Sequence, residues 1–274
     1  MPKSKLEHAA VLSHRDAGRG YRRIVLDAPG IAKTARPGQF VMLRVSGTRD
    51  PLLARPFGIA ATNQKRSIEL YYRVVGRGTN MLAAVEAGHC LAVQGPLGNG
   101  FPLPEKGVTP VLVAGGSGFP PLLSLASRLR TRAHVFLGAR DCECLPPASV
   151  IKTFKQHAKR VYIATDNGSH GVQGQVTGPL DSFLAASKGT ERIVLYACGP
   201  RAMLAAVSRI AAAREVPCYV SLEERMACGL GACMGCSVPV VQGGYRRVCK
   251  EGPVFDSREI EWKEQVVLPV PHKK

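Results

Sequence analysis

Short runs rich in β-branched and aromatic residues recur through the first hundred positions of the chain. They cover residues 9–14, 21–27, 39–45, 68–75 and 90–96. Stretches rich in Gly and Pro lie between them and are typical of tight turns. Several short strands at this spacing predict a small antiparallel β-barrel or a sandwich, and we assign residues 1–104 to this first domain.

The pattern changes in residues 105–217, which we assign to a second domain. Apolar runs that suit buried strands cover residues 108–116, 133–140, 160–166 and 192–200. Runs with helical periodicity follow two of them, at 121–132 and 201–215. Alternating strands and helices favour a parallel α/β sheet with right-handed crossovers.

Residues 218–274 form a third segment with little regular periodicity. It holds five cysteines, of which four are clustered in residues 228–249, and several glycines. Because its own apolar core is small, we expect a metal or a cluster to organise it. The predicted fold class is therefore multidomain α+β: an antiparallel β-barrel, a central parallel-sheet α/β domain and a small C-terminal domain.

Composition and charge narrow the classes of function. The chain has 274 residues, of which 45% are hydrophobic, so it has too much apolar content for a disordered protein. Its formal net charge of +17 is spread over the first two domains, without a basic run. No helix-turn-helix, finger or RNA-binding motif is present, so we predict no nucleic-acid partner. A basic surface still favours anionic ligands such as dinucleotides.

The start of the sequence lacks the apolar core of a signal peptide, and no stretch approaches the length of a membrane span. We therefore expect a cytoplasmic protein with no membrane partner. Nine cysteines in that compartment are not expected to form disulfides. We interpret four of them as small buried packing residues: Cys90, Cys142, Cys144 and Cys218.

The remaining clustered cysteines have the spacing C-x4-C-x2-C, followed by a fourth after twelve intervening residues. This is the plant-type [2Fe–2S] spacing, in which two irons take four thiolates. Interleaved glycines allow the backbone to wrap closely around such a group. A structural zinc site is the alternative, but zinc usually takes two C-x2-C pairs and only one is present. The predicted ligands are Cys228, Cys233, Cys236 and Cys249.

Three further stretches can bind a nucleotide. Residues 114–118 and 198–200 each end a strand of the predicted sheet, so both loops should face one crevice at its carboxyl edge. Residues 76–80 form a Gly-rich turn before a helical run, which is typical of anion sites but also of ordinary capped turns. Arg55, predicted at the end of a barrel strand, can pair with a pyrophosphate, although the pattern by itself favours an ordinary surface arginine.

The order of these motifs resembles that of the ferredoxin–NADP reductase superfamily. The runs 221–236 and 247–256, which carry the four cysteines, resemble more specifically the electron-transfer subunits of class 1B dihydroorotate dehydrogenases. The resemblance covers essentially the whole chain. It implies FAD, a [2Fe–2S] cluster and NAD as cofactors. It also implies an FMN-containing dihydroorotate dehydrogenase catalytic subunit as partner, in a heterotetramer of two plus two.

The resemblance also assigns residues. FAD would be bound by Arg55, Pro56, Phe57, Gly58, Tyr71, Tyr72, Arg73, Gly78 and Thr79. NAD would be bound by Gly115, Gly116, Gly118, Cys198, Gly199 and Pro200. The chain departs from the family pattern at Gly58, where serine is usual, and at Pro120-Pro121 after the Gly-rich loop.

The implied function is electron transfer from the partner's FMN through [2Fe–2S] and FAD to NAD+, in pyrimidine (UMP) biosynthesis. A flavin can link a one-electron cluster to a two-electron hydride acceptor, so no general base is needed here and no catalytic residue is assigned. Asp141, after the second strand of the sheet, favours NAD over NADP, whereas Arg140 beside it favours the opposite.

Two other functions remain possible at this point. One is a related NAD(P)H-linked reductase subunit serving ferredoxin or sulfide metabolism; such relatives often have Asp in place of the first cluster cysteine, here Cys228. The other is a non-catalytic iron–sulfur sensor, against which the two nucleotide loops argue.

Overall fold

The computed structural model describes residues 4–48, 50–189 and 191–262. Residues 1–3 of the predicted first domain and 263–274 of the predicted third domain lie outside this range. Six antiparallel strands close a barrel in the order β1-β2-β5-β4-β3-β6. They are β1 (Lys5–Gly18), β2 (Tyr21–Asp27), β3 (Phe40–Leu43), β4 (Arg55–Asn63), β5 (Ser67–Arg73) and β6 (Cys90–Leu97). The predicted barrel is thus confirmed.

Alternating side chains of the barrel strands fill its interior. Ile24 of β2 lies opposite Leu70 of β5, Leu26 lies opposite Ile68, and all four are fully buried. A strand places every second side chain on one face, so this periodicity is sufficient to build the core. Two short helices, α1 (Pro29–Ala32) and α2 (Arg77–Ala83), accompany the barrel.

The strand β4 corrects one expectation. Arg55 begins this strand rather than following it, because β4 pairs with β3 from Leu43↔Arg55 to Phe40↔Gly58. The apolar runs of the sequence predicted no strand between residues 55 and 63. Antiparallel pairing with β3 and β5, rather than local β-propensity, defines this strand.

A seven-stranded sheet forms the second part of the molecule, in the order β10-β9-β8-β7-β11-β12-β15. The strands are β7 (Val108–Gly115), β8 (Ala133–Ala139), β9 (Ala158–Thr165), β10 (Val172–Gln173), β11 (Arg192–Cys198), β12 (Cys218–Ser221) and β15 (Val254–Asp256). The helices are α3 (Phe119–Leu129), α4 (Ala148–His157), α5 (Thr177–Ala186) and α6 (Arg201–Ala213). All pairs are parallel except β12 with β15, so the predicted parallel sheet is confirmed.

Helices cover both faces of this sheet. Leu112 of β7 packs in one cluster with residues of α3 and α4, whereas its neighbour Val113 packs with residues of α5 and α6. This double cover explains why the strands read as continuous apolar runs. The helix α3 begins at Phe119, so Pro120 and Pro121 occupy its first turn, where a missing N–H leaves no hydrogen bond unmade.

The C-terminal segment extends the large sheet and packs against the barrel. Its strands β12 and β15 lie beyond residue 217 and extend the large sheet. The predicted domain boundary at residue 217 stays a prediction. Between them, β13 (Ser237–Pro239) and β14 (Tyr245–Arg247) form a hairpin. Val238 and Val248 join the core that also holds Phe40 and Met42 of the barrel, so packing as well as any cluster stabilises this segment.

Among the helices of the described residues, none is long and apolar enough to cross a membrane.

Candidate functional site

A cavity of about 380 Å³ lies where the barrel, the carboxyl edge of the parallel sheet and the C-terminal segment meet. The structure brings every predicted FAD-binding residue except Gly78 to its wall. Those on the wall are Arg55, Pro56, Phe57, Gly58, Tyr71, Tyr72, Arg73 and Thr79. Residues far apart in the chain therefore enclose one space.

Gly78 lies directly beneath Arg55. A Cβ atom on Gly78 would come within 2.8 Å of the Arg55 Nε atom, so a side chain at this position would displace the guanidinium. Nearby, the Thr79 hydroxyl oxygen accepts the backbone N–H groups of Val75 at 2.9 Å and Gly76 at 3.2 Å. A guanidinium fork against a tight turn of small residues is an arrangement that suits a pyrophosphate.

Aromatic rings form a further part of the cavity wall. The rings of Phe57 and Tyr72 lie 5.7 Å apart, and Tyr71 meets Phe119 edge-on at 5.4 Å. Burial raises the pKa of Tyr71 and raises the pKa of Tyr72 to about 12, so both phenols stay neutral at physiological pH. These flat, uncharged surfaces suit a planar ring system.

The two predicted NAD loops lie against each other at the carboxyl edge of the sheet. A Cβ on Gly118 would come within 2.3 Å of the Cys198 carbonyl oxygen, and one on Gly199 within 2.9 Å of the Gly115 Cα. Cys198 also lines the cavity, and burial raises the pKa of its thiol well above the usual value. The loops thus form one crevice beside the aromatic wall. Gly115, Gly116, Gly118, Gly199 and Pro200 do not line the cavity itself.

The cavity wall also contains residues that were not assigned from the sequence, among them Ser221 and Glu223. Ser221 ends β12, the neighbour of β11, so it reaches the same edge as Cys198. Glu223 is exposed to solvent, and the protein atoms packed around it raise the pKa of its carboxyl by desolvation. The parallel order of β7, β11 and β12 could have identified them, since strands of one sheet present their carboxyl ends together.

Asp141 follows β8, as predicted, and caps a short 3₁₀ turn. Its Oδ1 accepts the Cys144 N–H at 2.9 Å, and its Oδ2 lies 3.3 Å from the Arg140 Nε atom. The hydrogen bond with Cys144 lowers the pKa of Asp141, so the side chain is an anion. Its proposed contact with a ribose stays a prediction.

The four predicted cluster cysteines meet in two pairs. Cys228 and Cys233 lie within hydrogen-bonding reach of each other, and so do Cys236 and Cys249. Backbone N–H groups point at three of the sulfurs: that of Leu230 at Cys228, that of Gly235 at Cys233 and that of Cys249 at Cys236, at 3.4–3.5 Å.

This donor set fits a [2Fe–2S] cluster, in which each iron takes two thiolates. Burial opposes ionisation of Cys228, but hydrogen bonds led by the Leu230 N–H outweigh it and lower the pKa of this thiol to about 6. In the described part of the chain, no three His, Cys, Asp or Glu side chains converge on a single point. Gly229 and Gly231 adopt positive φ angles of 69° and 80°, which the tight loop requires.

The burial of the other cysteines differs from the prediction. Cys218 and Cys198 are buried, but Cys90 is exposed, and Cys142 and Cys144 are half-buried. The interpretation of Cys90, Cys142 and Cys144 as buried packing residues is therefore wrong. Cys90 begins the barrel strand β6, and the other two lie in the surface turn that Asp141 caps.

Family models match two parts of the chain. Residues 223–261 match the iron–sulfur cluster binding domain of dihydroorotate dehydrogenase B. Residues 9–101 match an oxidoreductase FAD-binding domain. The first match contains all four clustered cysteines, and the second contains every barrel residue of the cavity.

Curated relatives resemble the chain over most of its length. A protein of Desulforamulus reducens is 40% identical over 244 residues, which are 86% of this chain and 91% of that protein. One of Bacillus caldolyticus is 37% identical over 259 residues, 93% of this chain and 98% of the other. Both are named dihydroorotate dehydrogenase B (NAD(+)), electron transfer subunit.

Solved structures share the fold. A chain of the NADH-dependent reduced ferredoxin–NADP oxidoreductase, studied for flavin-based electron bifurcation, superposes with a TM-score of 0.80 at 27% identity. The match covers 93% of this chain and 90% of that one. An Amycolatopsis cytochrome P450 reductase superposes with a TM-score of 0.62 at 24% identity, over 77% of this chain and 66% of the other.

Proposed function

This chain belongs to the family of dihydroorotate dehydrogenase B electron transfer subunits, and we propose that it conveys electrons from dihydroorotate, oxidised on a partner subunit, to NAD+. It is an oxidoreductase subunit with an FAD-binding domain and an iron–sulfur binding domain. The cofactors expected from the sequence, FAD, [2Fe–2S] and NAD, agree with the names of these domains and relatives. The physiological role is then a step of pyrimidine biosynthesis.

One observation carries this proposal: the cysteine loop begins two residues after the cavity wall ends. Met226 lines the cavity, and Cys228 follows two residues later. Gly229 packs onto the barrel so closely that a Cβ there would lie 2.5 Å from Met42 Cγ. A flavin, when bound, supplies the exchange between one-electron carriers and hydride acceptors. Adjacent sites for a cluster, a flavin and a nicotinamide are what that exchange requires.

We assign the residues as follows. The fork of Arg55 above Gly78 and the Thr79 turn would hold the FAD pyrophosphate, and the rings of Tyr71 and Tyr72 would flank the flavin. The loops 115–118 and 198–200 would hold NAD against the open side of the cavity. Hydride transfer depends on orientation rather than on acid–base chemistry, so these residues bind and orient, and no general base is assigned.

We propose that the partner carries FMN and docks over the cluster loop, in a two-plus-two assembly. Leu230 and Met234 are 49% and 52% exposed on this loop, beside the exposed Cys233. Val241 and Tyr245 of the adjacent hairpin are 66% and 67% exposed. Such apolar exposure in one region is typical of an interface. A cytoplasmic location accords with the use of cysteines as thiolates.

The first experiment determines cofactor content. The purified chain should contain one FAD and two irons with acid-labile sulfide, and its visible spectrum should be that of a flavin plus a [2Fe–2S] cluster. Zinc in place of iron would overturn the cluster assignment. Absence of FAD would instead favour the sensor.

The second experiment tests the electron path. NADH should reduce artificial dyes through the isolated chain, whereas dihydroorotate should support no turnover until an FMN subunit is added. The likeness to a ferredoxin–NADP oxidoreductase chain favours a ferredoxin-linked reductase as second candidate. Activity with ferredoxin but not with the FMN subunit would establish that candidate. Dihydroorotate turnover by the isolated chain would overturn the division of roles.

A further inference from the structure

A histidine behind the flavin cavity is bonded on both ring nitrogens. His14 of β1 has its Nδ1 at 2.6 Å from the Val85 carbonyl oxygen and its Nε2 at 2.9 Å from the Tyr72 hydroxyl. The two rings lie 5.9 Å apart. Neither contact is local, because Val85 and Tyr72 are 71 and 58 residues away in sequence.

The partners determine where the protons lie. A carbonyl oxygen only accepts, so His14 carries its proton on Nδ1 and donates it to Val85. The unprotonated Nε2 then accepts from the Tyr72 hydroxyl, and the Arg22 Nε–H points at the same nitrogen from 3.4 Å. The hydroxyl hydrogen of Tyr72 is thereby committed to His14.

The surroundings keep this imidazole neutral. Burial lowers the pKa of His14, the Val85 hydrogen bond partly opposes this, and the Arg22 charge lowers it further. The groups that face His14 are Arg22 from β2, the Tyr72 phenol from β5 and the Val85 carbonyl after α2. No carboxylate among the described residues bonds to it.

Tyr72 connects this pair to the cavity. It is 5% exposed, lines the cavity and lies 5.7 Å from the ring of Phe57, which lines it too. Because its hydrogen is directed to His14, the phenol oxygen can act toward any other group only as an acceptor. The ring is also held at its far end, so its orientation is fixed.

We propose that His14 is a positioning residue of the flavin site: as the neutral Nδ1–H tautomer it orients the Tyr72 ring that forms one wall of the cavity. The inference rests on the proposed FAD site. His14 touches no cofactor itself and acts only through Tyr72.

Two substitutions separate the two hydrogen bonds. His14→Gln places an amide oxygen near the position of Nε2, so it can still accept from Tyr72, whereas His14→Asn reaches only the position of Nδ1. His8→Asn is the matched control, since His8 lies exposed on the same strand. Tyr72→Phe removes the hydroxyl and keeps the ring. FAD affinity by fluorescence titration and the circular dichroism of the bound flavin are the readouts.

We expect His14→Asn to weaken FAD binding about three- to tenfold, the value of one hydrogen bond, and to change the flavin dichroism. His14→Gln should remain within about threefold of the unaltered chain. In the Tyr72→Phe background, His14→Asn should have no further effect. As pH falls through the lowered His14 pKa, the imidazole becomes a cation beside Arg22, so FAD affinity should fall in the unaltered chain and not in His14→Gln.

Equal FAD affinity and dichroism for His14→Asn and His8→Asn would overturn the proposal. So would an undiminished effect of His14→Asn in the Tyr72→Phe background, since the role would then not pass through Tyr72. If His14→Asn fails to fold, His14→Gln still decides, because a loss of FAD affinity beyond about threefold in this variant, or a pH-dependent FAD affinity, contradicts the proposal. Failure of the unaltered chain to bind FAD overturns the proposed FAD site instead.

Discussion

The glycines of the cofactor loops should differ sharply in their tolerance of a side chain, and Gly118→Ala is the decisive change. Its Cβ would lie 2.3 Å from the Cys198 carbonyl oxygen, 2.5 Å from the Cys198 carbonyl carbon and 2.7 Å from the Gly199 nitrogen. All three are backbone atoms, so no side chain can rotate away. The loop would have to move by about 1 Å to restore a normal contact of ~3.5 Å.

The expected cost follows from that displacement. Overpacking a well-filled site destabilises by about 1–3 kcal/mol, and a backbone clash belongs at the upper end of that range. Moving the loop that would hold NAD should also lower kcat/KM for NADH, since a displacement of about 1 Å can reduce a rate ~100-fold. Urea unfolding and NADH-dependent dye reduction measure the two effects.

Two other glycines provide matched controls. Gly116 has a φ of +52° and nothing within 4 Å of a Cβ, so Gly116→Ala should cost only the ~1–2 kcal/mol of a left-handed residue. Gly58→Ser would meet Pro121 Cδ at 3.4 Å, an ordinary contact, so it should be within about 0.5 kcal/mol of the unaltered chain. If Gly118→Ala proves as stable as Gly58→Ser, the reasoning from loop contact is refuted.

Three further predictions concern the cluster and the nucleotide. Replacing any one cluster cysteine by serine should abolish partner-linked activity. The control Cys90→Ser, on the exposed barrel surface, should retain it. A retained cluster EPR signal in the Cys249→Ser variant would contradict this ligand set. The four positions are Cys228, Cys233, Cys236 and Cys249. NADH should have a higher kcat/KM than NADPH, because the Asp141 anion repels a 2′-phosphate, and a clear NADPH preference would refute that role. Glu251→Gln should accelerate iron release to a chelator several-fold relative to the control Glu105→Gln. The reason is that Glu251 orients Arg247, and Arg247 donates to the Gly231 carbonyl oxygen of the cluster loop at 2.6 Å. Equal rates of iron release in the two variants would contradict this role.

The sequence alone was sufficient for features whose residues lie close together in the chain. Three of the four cluster cysteines occupy nine consecutive positions, and their spacing is set by how a short loop can surround two irons. The strand and helix runs of residues 108–140 were likewise readable, because buried parallel strands and amphipathic helices impose their own periodicities. The family resemblance rested on the same local runs, and it is confirmed.

Features formed by residues far apart in the chain could not be predicted from local sequence patterns. The sequence pattern predicts no helix at α4, although Val150, Ile151 and Phe154 have helical spacing, because the polar positions of this helix weaken the pattern. The strand β4 starts at Arg55 because β3 pairs with it, and no local preference of residues 55–63 indicated that start.

The tertiary structure alone decided how the site is assembled. The Tyr72–His14 bond joins two barrel strands that β2 separates, and Glu223 reaches the cavity only because β12 aligns beside β11. The cysteine segment was expected to need a cluster for its order, yet Val238 and Val248 pack into a core shared with the barrel. The periodicity of a sequence indicates which face of a helix or strand is buried. The element against which that face packs depends on contacts between segments far apart in the chain, and these contacts form only when the chain folds.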